Sequence, residues 1–176
     1  MKGRRTGWLA PAAFLADRLT KLWAQEALRG QGPMAVWPGV LQFRYVENTG
    51  AAFGILQGQQ ALLLVLTGAA LAGVLCWLLT RGRSLPAFAR GALWLLLGGA
   101  AGNFADRLFH GAVVDFLEIE LFSFPVFNIA DCFVTVGAFL VLIDILFVNR
   151  NLFSDSRDGG DGKDKKSAGN PADKAS

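Results

Sequence analysis

The chain has 176 residues and a mass of 18.9 kDa, which is the size of one domain. Hydrophobic residues make up 53% of the sequence, charged residues make up only 18%, and the mean hydropathy is +0.39. A globular domain in water usually carries about 25% charged residues, and here the segment after Asn149 already holds 11 of the 31 charged side chains. These proportions exclude an ordinary soluble domain and indicate that most of the chain lies in lipid.

The distribution of basic residues and of potential metal ligands excludes two further classes. The net charge is +3, but the Lys and Arg residues cluster near the N-terminus, at 81–90 and after 149 rather than in one patch, as a nucleic-acid-binding surface would require. The one histidine, His110, and the two cysteines, Cys76 and Cys132, lack metal-ligand spacing. We therefore expect no nucleic-acid partner, no disulfide framework and no His/Cys metal site.

Four apolar segments predict four transmembrane helices, at about 7–25, 61–79, 91–109 and 126–148. Segment 61–79 has 19 residues without a charge, and at about 1.5 Å per residue it spans roughly 28 Å, close to the hydrocarbon thickness of a bilayer. Segment 7–25 follows basic residues, as a secretory signal does, but its apolar pattern continues past Asp17. We therefore expect this first segment to be a helix of the folded protein.

Period-two alternation predicts short strands between the helices. Leu41, Phe43 and Tyr45 alternate with polar residues, and Leu117, Ile119 and Leu121 do the same. The predicted fold class is an all-α membrane protein with four transmembrane helices and a small extracytoplasmic β-sheet, formed by residues 1–153. Residues 154–176 contain no aromatic side chain and no aliphatic one larger than Ala, which predicts a disordered tail.

The basic clusters also predict the orientation in the membrane. With four spans, the N-terminus, the 80–90 loop and the tail fall on one side, and the positive-inside rule assigns that side to the cytoplasm. Segments 27–60 and 110–126 then lie outside. This topology predicts a multi-pass protein of the cytoplasmic membrane with both termini inside.

Ionisable residues at membrane depth are costly and indicate functional sites. Asp17 and Lys21 are four residues apart, so they share a helix face and can form an ion pair. Asp106 and Arg107 are adjacent, so we expect each to find a partner on another segment. Asp144 lies near the predicted cytoplasmic end, where we expect a structural role.

Two further carboxylates, Asp115 and Asp131, map to the same outer interface, and Asn128 shares a helix face with Asp131. Two carboxyl groups in a partly desolvated site can share a proton, so that one activates a water and the other polarises a carbonyl. Spacing alone leaves three hypotheses open for this pair, namely a catalytic dyad, two structural caps and an ion path. Ser123 and His110 lack the neighbours that another hydrolytic mechanism would need.

Five ordered blocks of sequence narrow these hypotheses. The blocks are Asp17-Arg-Leu-Thr-Lys21, Glu47-Asn-Thr-Gly-Ala-Ala-Phe53, Gly98-Gly-Ala-Ala-Gly-Asn-Phe-Ala-Asp-Arg107, Val113-Val-Asp-Phe116 and Phe127-Asn-Ile-Ala-Asp131. Together they make the chain closely resemble the lipoprotein signal peptidases, or type II signal peptidases, over roughly residues 8–148. Any one block alone would be weak evidence, but five in order are highly specific.

The resemblance implies an aspartyl endopeptidase of the bacterial cytoplasmic membrane. Such enzymes remove the signal peptide from diacylglyceryl-modified prolipoproteins, just before the lipid-bearing cysteine. By the resemblance, Asp115 and Asp131 are the catalytic pair. The supporting residues that it implies are Asp17, Lys21, Asn48, Gly50, Asn103, Arg107 and Asn128.

We expect no metal or cofactor, prolipoproteins and membrane lipid as the partners, and a monomer with its active site at the outer leaflet. The alternative from another class is a small transporter or ion-conducting protein that uses the intramembrane carboxylates. A binding or assembly protein is a third hypothesis. A Mg²⁺ or Ca²⁺ ion held by Asp115, Asp131 and Asn128 is the rival to the metal-free mechanism.

Overall fold

The computed structural model describes residues 6–51 and 55–148. The elements in chain order are α1 (Leu9–Leu28), β1 (Met34–Trp37), β2 (Leu41–Asn48), α2 (Gln60–Arg81), α3 (Ala87–His110), β3 (Val113–Ile119) and α4 (Ile129–Ile143), and α4 continues as a π-helical turn, Asp144–Val148. The prediction of a mainly helical chain with a small sheet is confirmed. The predicted disordered tail, 154–176, lies outside the described residues.

Two of the described helices are long and apolar enough to cross a membrane. They are α2 and the continuous segment Ile129–Phe147, with mean hydropathies of 2.5 and 2.3. Few of their residues are buried inside the protein, as expected of helices that face lipid. Helices α1 and α3 have 20 and 24 residues, but they carry charged side chains. The count of four spans therefore stays a prediction.

Small residues let α3 pack closely against its neighbours. A Cβ atom at Gly98 would overlap the backbone carbonyl of Ala10 in α1, and one at Gly99 would lie 2.6 Å from the carbonyl oxygen of Ala130 in α4. The glycine run thus permits the close helix approach that small residues give in membrane proteins. As a result, α3 lies between α1 and α4 and brings their polar residues together.

The three strands form an antiparallel sheet in the order β1-β2-β3. Phe43 pairs with Leu117, and Val46 pairs with Asp115, so β2 has one extra residue between these two pairs. This irregularity is a β-bulge, which changes which side chains of a strand share a face. Without it, Glu47 would lie opposite Val113, in the place that Asn48 occupies.

The sequence prediction of the sheet needs two corrections. Leu121 was expected in a strand, but β3 ends at Ile119 because the chain turns at 120–123. Strand β1 was not predicted, since its four residues are all exposed and do not alternate between apolar and polar types.

The sheet is attached to the helices at one end of the molecule. Ala24 and Leu28 of α1 form a buried apolar cluster with Val114 and Phe116 of β3. On the other side of β3, the carbonyl of Phe127 accepts hydrogen bonds from two β3 backbone N–H groups. The segment that leads into α4 is therefore fixed along β3, and the first turn of α4 lies beside the strand that carries Asp115.

Candidate active site

Asp115 and Asp131 line the same cavity, although they come from different elements. The cavity has a volume of about 530 Å³ and is also lined by Asn48, Asn103 and Arg107. The sequence prediction that the two carboxylates lie together is therefore confirmed, and three of the predicted supporting residues lie with them.

Asp115 is a buried carboxyl group in the middle of β3, with only 3% of its surface exposed. Its Oδ2 atom accepts a hydrogen bond from Asn48 Nδ2 at 2.9 Å, and its Oδ1 atom accepts one from Asn128 Nδ2 at 2.6 Å. Burial raises the pKa of Asp115 to about 6, and the negative charge of Asp131 adds to this effect against the two amide donors. A carboxyl group in this environment can hold a proton near neutral pH.

Asp131 lies in the first turn of α4 and takes part in its N-terminal cap. Its Oδ2 atom accepts from the backbone N–H of Asn128, while the Asn128 Oδ1 atom accepts from the backbone N–H of Asp131, both at 3.0 Å. This reciprocal pair is a capping box. The Oδ1 atom of Asp131 accepts from Asn103 Nδ2 at 2.7 Å. Two N–H donors and a helix N-terminus thus favour the charged form of this carboxyl, whereas its burial opposes that form.

Asn128 connects the two carboxylates. Its side chain is fully buried, its oxygen caps α4, and its nitrogen donates to Asp115. The same nitrogen lies 3.1 Å from Asn103 Oδ1. One amide therefore fixes the position of Asp115 relative to that of Asp131.

A buried group of charged residues lies behind Asn103. Lys21 Nζ donates to Asn103 Oδ1 at 2.7 Å and lies 2.9 Å from Asp17 and 2.7 Å from Asp106. Arg18 pairs with the same two carboxylates at 3.1 and 2.6 Å, so two cations balance two anions. The predicted Asp17–Lys21 pair and the expected partner of Asp106 are both confirmed.

The sequence block Asp17–Lys21 contains Arg18 next to Asp17, but it indicates no role for Arg18. Its partner Asp106 lies on α3, and a contact between two distant helices leaves no local pattern in the sequence. Asp17 has a second contact of this kind, because its Oδ1 atom accepts from the backbone N–H of Ala130 in α4 at 3.2 Å. Gly102 of α3 lies directly against the Asp17 carboxylate, where any side chain would overlap it.

Arg107 holds the turn that follows β2. Its Nη2 atom donates to the carbonyl oxygen of Gly50 at 2.9 Å, and Asn48 Oδ1 accepts from the backbone N–H of Gly50 at 2.9 Å. Asn48 therefore stabilises this turn and also contacts Asp115. All nine residues predicted for the site belong to one connected network.

The apolar wall of the cavity was not predicted, since apolar residues on a transmembrane helix carry no distinguishing signal. Val134, Thr135 and Val136 of α4 form part of it, and so does Cys132. Asp144 is buried but does not line this cavity, in keeping with a structural role. Within 6–51 and 55–148, no three His, Cys, Asp or Glu side chains form a group that could hold a metal ion.

The comparisons of this chain with known proteins all point to the same family. The family model for signal peptidase (SPase) II matches residues 9–147. A lipoprotein signal peptidase of Nostoc punctiforme is 41% identical over 141 residues, which cover 79% of this chain and 88% of that protein. A lipoprotein signal peptidase of Clostridium novyi is 38% identical over 136 residues, or 76% of this chain and 91% of that one.

The fold agrees with these sequence matches. A solved structure, described as that of a bacterial membrane enzyme, superposes on this chain with a TM-score of 0.73 at 28% identity. The match covers 92% of this chain and 93% of the chain in that structure. A second such structure gives a TM-score of 0.72 at 31% identity. The chain is therefore a membrane protein that belongs to the signal peptidase II family.

Proposed function

We propose that this protein is an aspartyl endopeptidase that removes signal peptides from diacylglyceryl-modified prolipoproteins, cutting before the lipid-bearing cysteine. Membership of the signal peptidase II family supports the reaction and the substrate class. The observation that carries the aspartyl mechanism is the pair Asp115 and Asp131, which line one cavity and are each held by two N–H donors.

The two carboxyl groups take different roles in this mechanism. Asp131, at the positive end of α4, is the charged base that removes a proton from a water molecule as the water attacks the scissile carbonyl carbon. Asp115, which is buried in β3 with only 3% of its surface exposed, holds the shared proton and donates it toward the carbonyl oxygen. When the tetrahedral intermediate collapses, the C–N bond breaks, the proton on Asp131 passes to the leaving amine, and Asp115 takes back its proton from the hydroxyl group that becomes the new carbonyl oxygen.

Arg107 and Asn48 support this chemistry. The guanidinium of Arg107 lines the same cavity, so its positive charge offsets the negative charge of the dyad. Asn48 orients Asp115 through a hydrogen bond while its own position is fixed by the turn at Gly50. Both residues therefore act on the dyad through fixed contacts.

We further propose that the protein lies in the bacterial cytoplasmic membrane with four spans, a cytoplasmic 80–90 loop and an active site at the outer leaflet. The dyad and the sheet lie at one end of the bundle, and the basic residues Arg81, Arg83 and Arg90 lie at the other, as the positive-inside rule requires. We propose a monomer that needs no metal or cofactor, because one shared proton and one water are enough for the reaction.

The test is cleavage of a diacylglyceryl-modified peptide by the purified protein and by the variants Asp115→Asn and Asp131→Asn. An amide can act neither as a base nor as an acid, so each variant should lose activity by about a hundredfold or more. Asp144→Asn is the matched control, since it removes a buried carboxylate outside the cavity, and it should stay active. Near-normal turnover by either dyad variant would contradict the mechanism.

A further inference from the structure

One residue of α3 holds both ends of the connection between β2 and α2. The guanidinium of Arg107 donates to the carbonyl oxygen of Gly50, just after β2, at 2.9 Å. The backbone carbonyl oxygen of Arg107 accepts a hydrogen bond from Nε2 of Gln60, the first residue of α2, at 3.0 Å. The end of β2, the start of α2 and the end of α3 are therefore fixed to one another at Arg107.

Gln60 lies outside the five sequence blocks and does not line the cavity. Its side chain is half-buried, and the bond to Arg107 is the one hydrogen bond that this side chain makes among the described residues. The Oε1 atom of the same amide is buried and has no partner in that part of the chain. The contact with Arg107 therefore accounts for the whole polar interaction of this side chain.

The bond from Gln60 stabilises the last turn of α3, which begins with Arg107. The last four carbonyl groups of an α-helix lack regular partners within the helix, and helix ends fray. The Arg107 carbonyl also accepts from the backbone N–H of Gly111, where α3 ends, but at a longer distance of 3.2 Å. Gln60 is thus a second donor that comes from another helix and opposes fraying of this turn.

The last turn of α3 positions two parts of the active site. The Arg107 side chain lines the cavity and contacts Gly50. Gly50 is in turn bonded to Asn48, which donates to Asp115. Only two residues separate α3 from β3, the strand that carries Asp115. A shift of this turn would therefore move the guanidinium and the strand together relative to Asp131 of α4.

On the basis of the proposed function, we infer that Gln60 is a positioning residue for peptide-bond cleavage, which caps the end of α3 from α2 and thereby holds Arg107 at the dyad. Because Gln60 does not line the cavity, it acts on the reaction through Arg107 and makes no contact with the substrate there. Loss of its donor should therefore lower kcat and leave KM nearly unchanged.

The experiment measures cleavage of a diacylglyceryl-modified peptide by the full-length protein and by two variants. Gln60→Met has a side chain of similar length without a donor. One hydrogen bond corresponds to a roughly three- to tenfold change, so kcat should fall by about that factor while KM changes less than twofold. Gln60→Glu keeps the shape of the side chain, and its negative charge favours the N-terminus of α2, so this variant should stay folded. A carboxylate cannot donate to a carbonyl, so kcat should fall here too.

Two control variants separate positioning from stability. Gln59→Met changes the neighbouring glutamine, which is exposed and makes no side-chain capping bond to α2, and it should keep normal kcat. Leu78→Ala removes a buried side chain at the other end of α2. It should lower the unfolding temperature and still leave kcat unchanged when the assay is run well below that temperature.

The outcomes separate this inference from the proposed function. Normal kcat in either Gln60 variant would overturn the inference. A loss of kcat in Leu78→Ala as large as that in Gln60→Met would assign the effect to stability and would contradict a positioning role. In both cases the unmodified protein still cleaves the peptide, so the proposed function stands. If the unmodified protein does not cleave it, the proposed function fails and the inference fails with it.

Discussion

At the scale of single residues, the site is organised around a carboxyl group, that of Asp115, whose pKa burial raises to about 6. The folded protein keeps the Asp115 proton up to about pH 6, whereas an unfolded chain releases it near the ordinary pKa of 3.8. The stabilisation linked to this proton is therefore complete below about pH 3.8 and is lost as the pH rises through about 6. Under the proposed mechanism, a group that serves catalysis thus lowers the stability of the fold at neutral pH.

This linkage predicts how stability changes with pH. Between pH 4 and pH 7, the free energy of unfolding of the unmodified protein should fall by up to roughly 3 kcal/mol relative to that of Asp115→Asn, because the variant has no carboxyl to titrate at this position. Thermal unfolding of both proteins in detergent across this range gives the comparison. Parallel stability curves would contradict the shifted pKa of Asp115.

A second prediction concerns the charge balance behind Asn103. Lys21→Met leaves two buried carboxylates, Asp17 and Asp106, with one cation, and should lower the free energy of unfolding by about 3–5 kcal/mol. Adding Asp106→Asn restores the balance between Asp17 and Arg18, so the double variant should recover much of this loss. It should still cleave slowly, because Asn103 has lost the donor that orients its amide toward Asp131.

Unfolding temperatures and kcat for the two variants separate the structural role of Lys21 from its positioning role. A double variant that is as active as the unmodified protein would show that Lys21 only balances charge. Recovery of neither stability nor activity would contradict the charge-balance account.

Local spacing explains which contacts could be predicted from the sequence. The pairs Asp17–Lys21 and Asn128–Asp131 follow from distances of four and three residues along a helix. The contact of Arg18 with Asp106 could not be predicted in this way, because it joins α1 to α3. The motif blocks named all nine site residues, but they did not say which residue contacts which.

At the scale of secondary structure, helix packing depends on the absence of side chains at a few positions. A Cβ atom at Gly99 would lie 2.6 Å from the Ala130 carbonyl oxygen and 2.9 Å from Phe133 Cβ, so α3 and α4 would have to move apart. Gly99→Ala should therefore lower the free energy of unfolding by about 1–3 kcal/mol and reduce activity, since Asp131 lies on the displaced helix. Thermal unfolding and cleavage rates measure the two effects.

Gly73 provides the matched control for this substitution. It lies on α2, where an added Cβ would meet no atom within 4 Å. Gly73→Ala should leave stability unchanged or raise it slightly, because Ala favours a helix by up to about 1 kcal/mol over Gly. Equal effects of the two substitutions would contradict the packing argument.

The sheet marks the limit of prediction at this scale. Alternation identified β2 but only the last three residues of β3, Leu117 to Ile119, because the first four residues of β3 are buried on both faces of the strand. It could not reveal the bulge between Phe43 and Val46, since one extra residue leaves the composition of a strand unchanged. The bulge decides whether Asn48 or Glu47 occupies the position beside Asp115. The contact between Asn48 and Asp115 therefore could not be predicted from the sequence.

At the scale of the whole molecule, the proposed topology can be tested by labelling. Arg83 follows α2, Arg44 lies in the sheet, and both are exposed. With Cys76 and Cys132 replaced, Arg44→Cys should react with an impermeant thiol reagent added outside the cell, whereas Arg83→Cys should react only after the membrane is opened. If both positions are labelled from outside, the topology is wrong.

The buried charges between α1 and α3 also bear on how the protein is made. Helix α2 and the α4 segment are apolar enough to enter lipid on their own. Asp17, Arg18 and Lys21 of α1 each oppose insertion by about 3 kcal/mol at the centre of a membrane helix, and Asp106, which completes their neutralisation, is synthesised only with α3. Under the proposed topology, α1 leaves the ribosome before α3 but is stable in the bilayer only after α3 has arrived. The order of synthesis therefore differs from the order of stable membrane insertion.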